Sequence, residues 1–282
     1  LLRRAMGKKI QKEMDAQKNR FISGASNKNI NKKRASFIFE LVDKFAGYGF
    51  NKSHAAGYAF IAYQTAYLKT NFPEEFMCSS LNYAIDRTDR IILLKKELDK
   101  LNIPLLKPDI NFSDSIFKIE IDSNNKKSIR FALSAIKGVG LMSMSKLVAE
   151  RNKSGPFDDV IDFMSRFNSE VINKRQLEKL IQAGGFDSIL EDRAILFNNV
   201  TNFVQIFGTM KTEANDQSKL FNDEKINFND NKLFNHDISE WSLDLKLKYE
   251  LEVVGFYFSD HPLSNYPKNF FQSIGVINYS KI

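Results

Sequence analysis

Apolar positions recur at helical spacing through the first hundred residues. Lys8 to Phe21 is polar with sparse apolar positions, whereas Ala35 to Phe45 places Phe37, Phe39, Leu41, Val42 and Phe45 at helical intervals. A break at Gly47-Tyr-Gly49 follows, and Ser53 is the expected N-cap of a helix running to Thr70. On that helix Ala55, Ala59, Ala62 and Ala66 form one stripe, and Ala56, Phe60, Tyr63 and Tyr67 form its neighbour. Pro73 with Glu74 and Glu75 opens another helix, because Pro suits the first turn and acidic side chains suit the positive end. Asp89 to Leu101 is a further amphipathic helix.

The pattern changes at Asn102. Ile103 to Pro108 reads as an extended linker. Phe117 to Ile121 alternates as a strand, Ser123 to Lys127 turns, and Ile129 to Leu133 answers it, which makes a small β-hairpin. Residues 134 to 205 return to helices with glycine-containing turns, including two hairpin-like helical units at 134 to 150 and 174 to 190. Residues 211 to 247 are polar and read as mostly loop or disordered, and an amphipathic segment resumes from Tyr249 to Phe258. The fold class expected is mostly α with a small β-hairpin.

Composition sharpens this picture only in part. At 282 residues and 43% hydrophobic content, the chain suffices for one large domain or two ordinary ones. No apolar run is long enough to span a membrane. The chain opens on Leu1 without a signal peptide and reads as a piece of something longer. The single cysteine, Cys78, excludes an internal disulfide framework and fits a reducing cytoplasm. Three scattered histidines give no zinc-ligand spacing, so no metal site is expected in the chain. The net charge is +7, yet residues 1 to 52 carry thirteen Lys and Arg against four Asp and Glu. A basic end on a near-neutral body suits a polyanion partner and equally a solvated surface in a Lys-rich chain.

Four blocks carry candidate chemistry. Leu1-Leu-Arg-Arg-Ala-Met-Gly-Lys-Lys9 pairs Arg3 and Arg4, with Lys8 a turn beyond Arg4. Arginine forks suit phosphate oxygens, and the same residues also make a plain basic face. Phe45-Ala-Gly-Tyr-Gly-Phe-Asn-Lys-Ser-His-Ala-Ala-Gly-Tyr-Ala59 sets Lys52, Ser53 and His54 at a helix N-terminus, where free amides attract anions. Ile136-Lys-Gly-Val-Gly140, followed by Leu141, Met144 and Leu147, is a helix-hairpin-helix signature. Gly138 and Gly140 let backbone amides approach phosphate, Val139 anchors the turn, and Lys137, Lys146, Lys174 and Arg175 support it; the unit is varied at Leu177 to Phe186. Gln217-Ser-Lys-Leu-Phe221 is a short docking peptide, with Leu220 and Phe221 to fill a pocket and Gln217 at its rim.

In this order the blocks resemble the C-family replicative DNA polymerases, the bacterial DNA polymerase III alpha subunits. Gln182-Ala-Gly-Gly-Phe-Asp187 and Glu252-Val-Val-Gly-Phe-Tyr-Phe-Ser-Asp-His-Pro262 match the same family, and in the 45–59 block Gly57 departs from the alanine usual in the family. The resemblance implies a fingers portion over 1–133, a tandem helix-hairpin-helix DNA-binding region over 134–208, a flexible clamp-binding segment over 209–247 and a lead-in to an OB-fold domain over 248–282. It implies that Arg3 and Arg4, and more weakly Lys8 and Lys9, meet the triphosphate of an incoming dNTP, and that Lys52, Ser53 and His54 contact nucleotide or primer-template. Its partners would be primer-template DNA, dNTP, the sliding clamp (the beta subunit) and other replicase subunits in the cytoplasm. Mg²⁺ would be held by palm aspartates upstream of Leu1, so no catalytic residue is expected in this chain and it should be inactive alone. His261 is expected to be structural. The alternative is a non-enzymatic DNA-binding adaptor recruited by the clamp, which leaves the Arg-Arg-Ala-Met-Gly-Lys-Lys and Asn-Lys-Ser-His blocks unexplained.

Overall fold

The computed structural model describes residues 11–48, 51–167, 171–215, 237–264, 266–267 and 270–275. Arg3, Arg4 and Lys8, and likewise Gln217, Leu220 and Phe221, lie outside the described residues. The fold is mostly helical with one small sheet, as the hydrophobic pattern implies. The chain divides into two compact units, one ending at Thr70 and the other starting at Asn71.

In the first unit, α1 (Gln11–Ser26) and α2 (Lys32–Tyr48) form a helical pair around Met14 and Phe39, with Phe21 and Val42 packed on them. Phe21 and Phe39 lie 5.4 Å apart, ring centre to ring centre. Helix α3 (Lys52–Asn71) follows, and no residue of it is buried. Its cap differs from expectation. The Asn51 side chain accepts the amides of Ser53 and His54 at 2.9 and 3.2 Å, so Asn51 and not Ser53 is the N-cap. An Asn carboxamide one residue before the helix reaches these amides as well as a serine hydroxyl would.

In the second unit, α4 (Pro73–Tyr83) has Pro73 in its first turn, and α5 (Thr88–Leu101) ends on Asn102 in a left-handed conformation. The sheet has the order β1-β3-β2, from β1 (Leu105–Leu106), β2 (Lys118–Ile121) and β3 (Lys127–Arg130). The hairpin pairs Lys118 with Arg130 and Ile121 with Lys127, within a residue or three of the expected strands. The expected linker holds a strand instead. Leu105 and Leu106 pair in parallel with Ile129 and Arg130. A strand of two residues is too short for a visible alternation, and the partner strand supplies its order.

A 3₁₀ turn (Leu133–Ala135) leads into the hairpin and α6 (Leu141–Ser154). Then come α7 (Val160–Arg166), α8 (Lys174–Gln182), α9 (Arg193–Asn215), α10 (Leu243–Val253) and the short α11 (Phe270–Ser273). One apolar core runs from Met77 to Val254, centred on Phe131, Leu133, Phe163, Leu180 and Phe186. The polar stretch expected to be loop is shorter than its composition suggests. Helix α9 continues to Asn215, and Trp241 is buried against Phe197 and Tyr249 ahead of α10. One indole is enough to tie down a polar neighbourhood. Among the described residues no helix is long and apolar enough to cross a membrane.

Candidate nucleic-acid interface

Residues 136 to 140 turn tightly because Gly138 adopts a φ of +83°, a region that side chains disfavour. Ile136 and Val139 point into the core, and the Val139 amide donates to the Ile136 carbonyl at 3.1 Å. The apolar anchor expected at Val139 is therefore present. Lys137, Gly138 and Gly140 are exposed, as are Leu141 and Met142 at the start of α6.

The hydrogen-bond ledger of this turn is uneven. The Lys137 amide is already used, donating to the Val253 carbonyl at 2.9 Å. The amides of Gly138, Gly140, Leu141 and Met142 find no acceptor among the described residues, and α6 has no side-chain cap. Four free amides at a positive helix end are what an anion meets most readily.

The start of α8 stands beside this turn. The Gln176 side-chain amide donates to the Ser143 hydroxyl at 3.1 Å, and a Cβ on Gly140 would lie 3.7 Å from the same nitrogen. Lys174 and Arg175, both exposed, directly precede Gln176 in sequence. Lys174 lies 3.8 Å from Glu178, a long and exposed pair of little energetic weight. Lys146 is exposed on α6.

The two helical units differ in what their turns face. Helix α8 closes its own N-terminus with a capping box. The Asn173 side chain accepts the Gln176 amide at 3.0 Å, and the Gln176 side chain accepts the Asn173 amide at 3.1 Å. Its C-terminal glycines, Gly184 and Gly185, are buried. A Cβ on Gly184 would stand 2.2 Å from the Arg193 guanidinium, and its φ is +79°. The second turn faces an ionic cluster in the protein interior, and the first faces solvent.

That cluster was not legible in the sequence. Arg193 donates to Asp187 twice at 2.8 Å, to Glu250 at 2.9 Å and to the Ser259 hydroxyl at 3.3 Å. Glu250 is fully buried and also accepts the Phe258 and Ser259 amides at 2.7 and 3.0 Å. Burial alone would raise the Asp187 carboxyl, but hydrogen bonds and charge from Arg193, with Lys107, bring it below the usual aspartate value. Asp187 belongs to a string noted only as a family likeness, and no spacing marks Arg193 or Glu250 as its partners. The His261 Nδ1 accepts the Leu263 amide at 3.1 Å.

In the 45–59 block, Lys52, Ser53 and His54 are exposed on the first turn of α3, and His54 lies against Tyr58 with ring centres 4.5 Å apart. Because Asn51 occupies the Ser53 and His54 amides, this helix end is less open to an anion than that of α6. Among the described residues no group of three His, Cys, Asp or Glu side chains could hold a metal ion.

Residues 102–196 match the helix-hairpin-helix motif family. The chain is 41% identical to the DNA polymerase III subunit alpha of Caulobacter vibrioides over 94% of its length. It is 40% identical to that of Borreliella burgdorferi over 98%, and 39% identical to that of Campylobacter jejuni over 100%. It spans 23% to 24% of the length of these relatives.

Proposed function

We propose, from the premise that this chain belongs to the family of DNA polymerase III alpha subunits, that it serves template-directed DNA synthesis by gripping the DNA backbone. The observation that carries this reading is identity of about two residues in five across nearly the whole chain, fingers blocks and hairpin together. It favours a polymerase over a clamp-recruited adaptor. At the hairpin, the free amides of Gly138, Gly140, Leu141 and Met142 take phosphate oxygens, and Lys137, Lys174 and Arg175 supply charge. Contacts of this kind hold a duplex without reading its bases.

The nucleotide is held elsewhere. Arg3 and Arg4, with Lys8, neutralise the triphosphate of the incoming dNTP. Lys52, Ser53 and His54 contribute through side chains, since Asn51 already takes two of the amides. Gln217, Leu220 and Phe221 dock on the sliding clamp, and synthesis is cytoplasmic, alongside other replicase subunits. Mg²⁺ takes its ligands from outside this chain, and it supplies charge neutralisation at the transferring phosphate.

Primer extension by the full-length protein tests this reading. Arg4→Ala should slow single-turnover incorporation at low dNTP by about 1–3 kcal/mol in barrier, with duplex affinity unchanged. Leu220→Ala with Phe221→Ala should lose clamp binding and long products while distributive synthesis persists. Absence of template-directed incorporation by the parent protein would contradict the reading. Parent-like incorporation by Arg4→Ala, or parent-like clamp affinity in the double variant, would remove that assignment.

A further inference from the structure

The phosphate-facing turn carries an acid where only cations would be expected. Glu252, in the last turn of α10, accepts from the Lys179 ammonium at 2.8 Å. Lys179 in turn lies along the hairpin, with its Cγ 3.7 Å from where a Gly138 Cβ would sit. The next residue, Val253, holds the Lys137 amide through its carbonyl at 2.9 Å. Glu252 is thus fixed next to the hairpin by two contacts, one through its side chain and one through its neighbour's backbone. The Glu252 side chain is 55% exposed against 19% for Lys179, so the acid keeps its access to solvent while the ammonium lies closer to the protein. Three lysines bear on it electrostatically, Lys179 foremost, then Lys248 and Lys137. Lys179 also donates to Gln182 at 3.0 Å, so its position does not depend on Glu252 alone.

We propose that Glu252 is a built-in competitor for DNA phosphate at the 136–140 hairpin: its carboxylate engages Lys179 beside Gly138, and the duplex must displace or outbid it. The inference rests on the hairpin reading given above. Without DNA, the carboxylate neutralises part of the basic edge. With DNA, a phosphate at the Gly138 and Gly140 amides draws Lys179 away and repels Glu252. The grip is thereby held weaker than the residues could make it. A duplex contact that must slide at each nucleotide addition gains from a weak, quickly exchanging hold.

The test is duplex affinity of the full-length protein, measured across a salt series. Glu252→Gln keeps shape and a hydrogen-bond acceptor but removes the charge. It should tighten binding about threefold at low salt, as expected for one exposed charge. It should also steepen the salt dependence by up to about one counterion. Lys179→Met should weaken binding by a similar factor, because it removes the cation and frees the acid. Gly138→Ala and Lys137→Ala are measured alongside. If they weaken binding while Glu252→Gln is unchanged or weaker than the parent, Glu252 positions Lys179 and does not compete, and this inference is wrong with the hairpin reading intact. If they leave binding untouched, the hairpin reading itself fails and takes the inference with it.

Discussion

Arg193 divides one guanidinium between two acids, Asp187 and Glu250, drawn from segments some sixty residues apart in sequence. Replacing it with Leu leaves a fully buried carboxylate without its cation, and the expected loss is about 3–5 kcal/mol in urea unfolding. A loss under about 1 kcal/mol would show that Glu250 is satisfied by the Phe258 and Ser259 amides and the Ser259 hydroxyl alone. The pH dependence has a definite sign. The folded Asp187 carboxyl titrates below its unfolded value, so its contribution is complete above about pH 4 and lost as pH falls through the lowered folded value. Arg193→Leu should flatten that acid limb. None of this was legible beforehand, because side chains that meet only after folding leave no spacing to read. Gly138 was legible, since a glycine between apolar anchors before an amphipathic helix demands a turn; its φ of +83° agrees.

At the scale of elements, periodicity located the helices between Ala35 and Leu101 and read 134–205 as helical without separating α7 from α9, and its failures have local causes. Strand β1 is two residues long and takes its order from β3, which no window over its own residues reveals. The boundary between loop and helix near residue 240 was obscured by Asn and Asp, yet Trp241 fixes it by packing 4.5 Å from Tyr249 and 5.3 Å from Phe197, centre to centre. Trp241→Ala should therefore cost about 3–5 kcal/mol and raise hydrogen exchange in α10 above that of α8. Equal protection of α10 in parent and variant would mean that Leu247 and Val253 hold the helix unaided. Since the Val253 carbonyl braces Lys137, loosened α10 should also weaken duplex binding. The two hairpin-like units looked alike as strings of glycines and leucines. Their difference lies in the capping box of α8 and the burial of Gly184, both consequences of neighbours distant in sequence.

For the molecule as a whole, the charge asymmetry fitted a polyanion partner and a solvated surface equally, and the blocks in order pointed to a polymerase, but neither located the grip. The structure joins Gln176, which follows Lys174 and Arg175 directly, to Ser143 just past Gly138 and Gly140. The most direct measurement is the salt dependence of duplex binding by the full-length protein on two unrelated sequences. Lys174→Ala with Arg175→Ala should lower affinity equally on both and reduce the slope by about two counterions, at roughly 0.9 per phosphate contact. An unchanged slope, or a loss confined to one sequence, would contradict a sequence-blind phosphate grip at this edge.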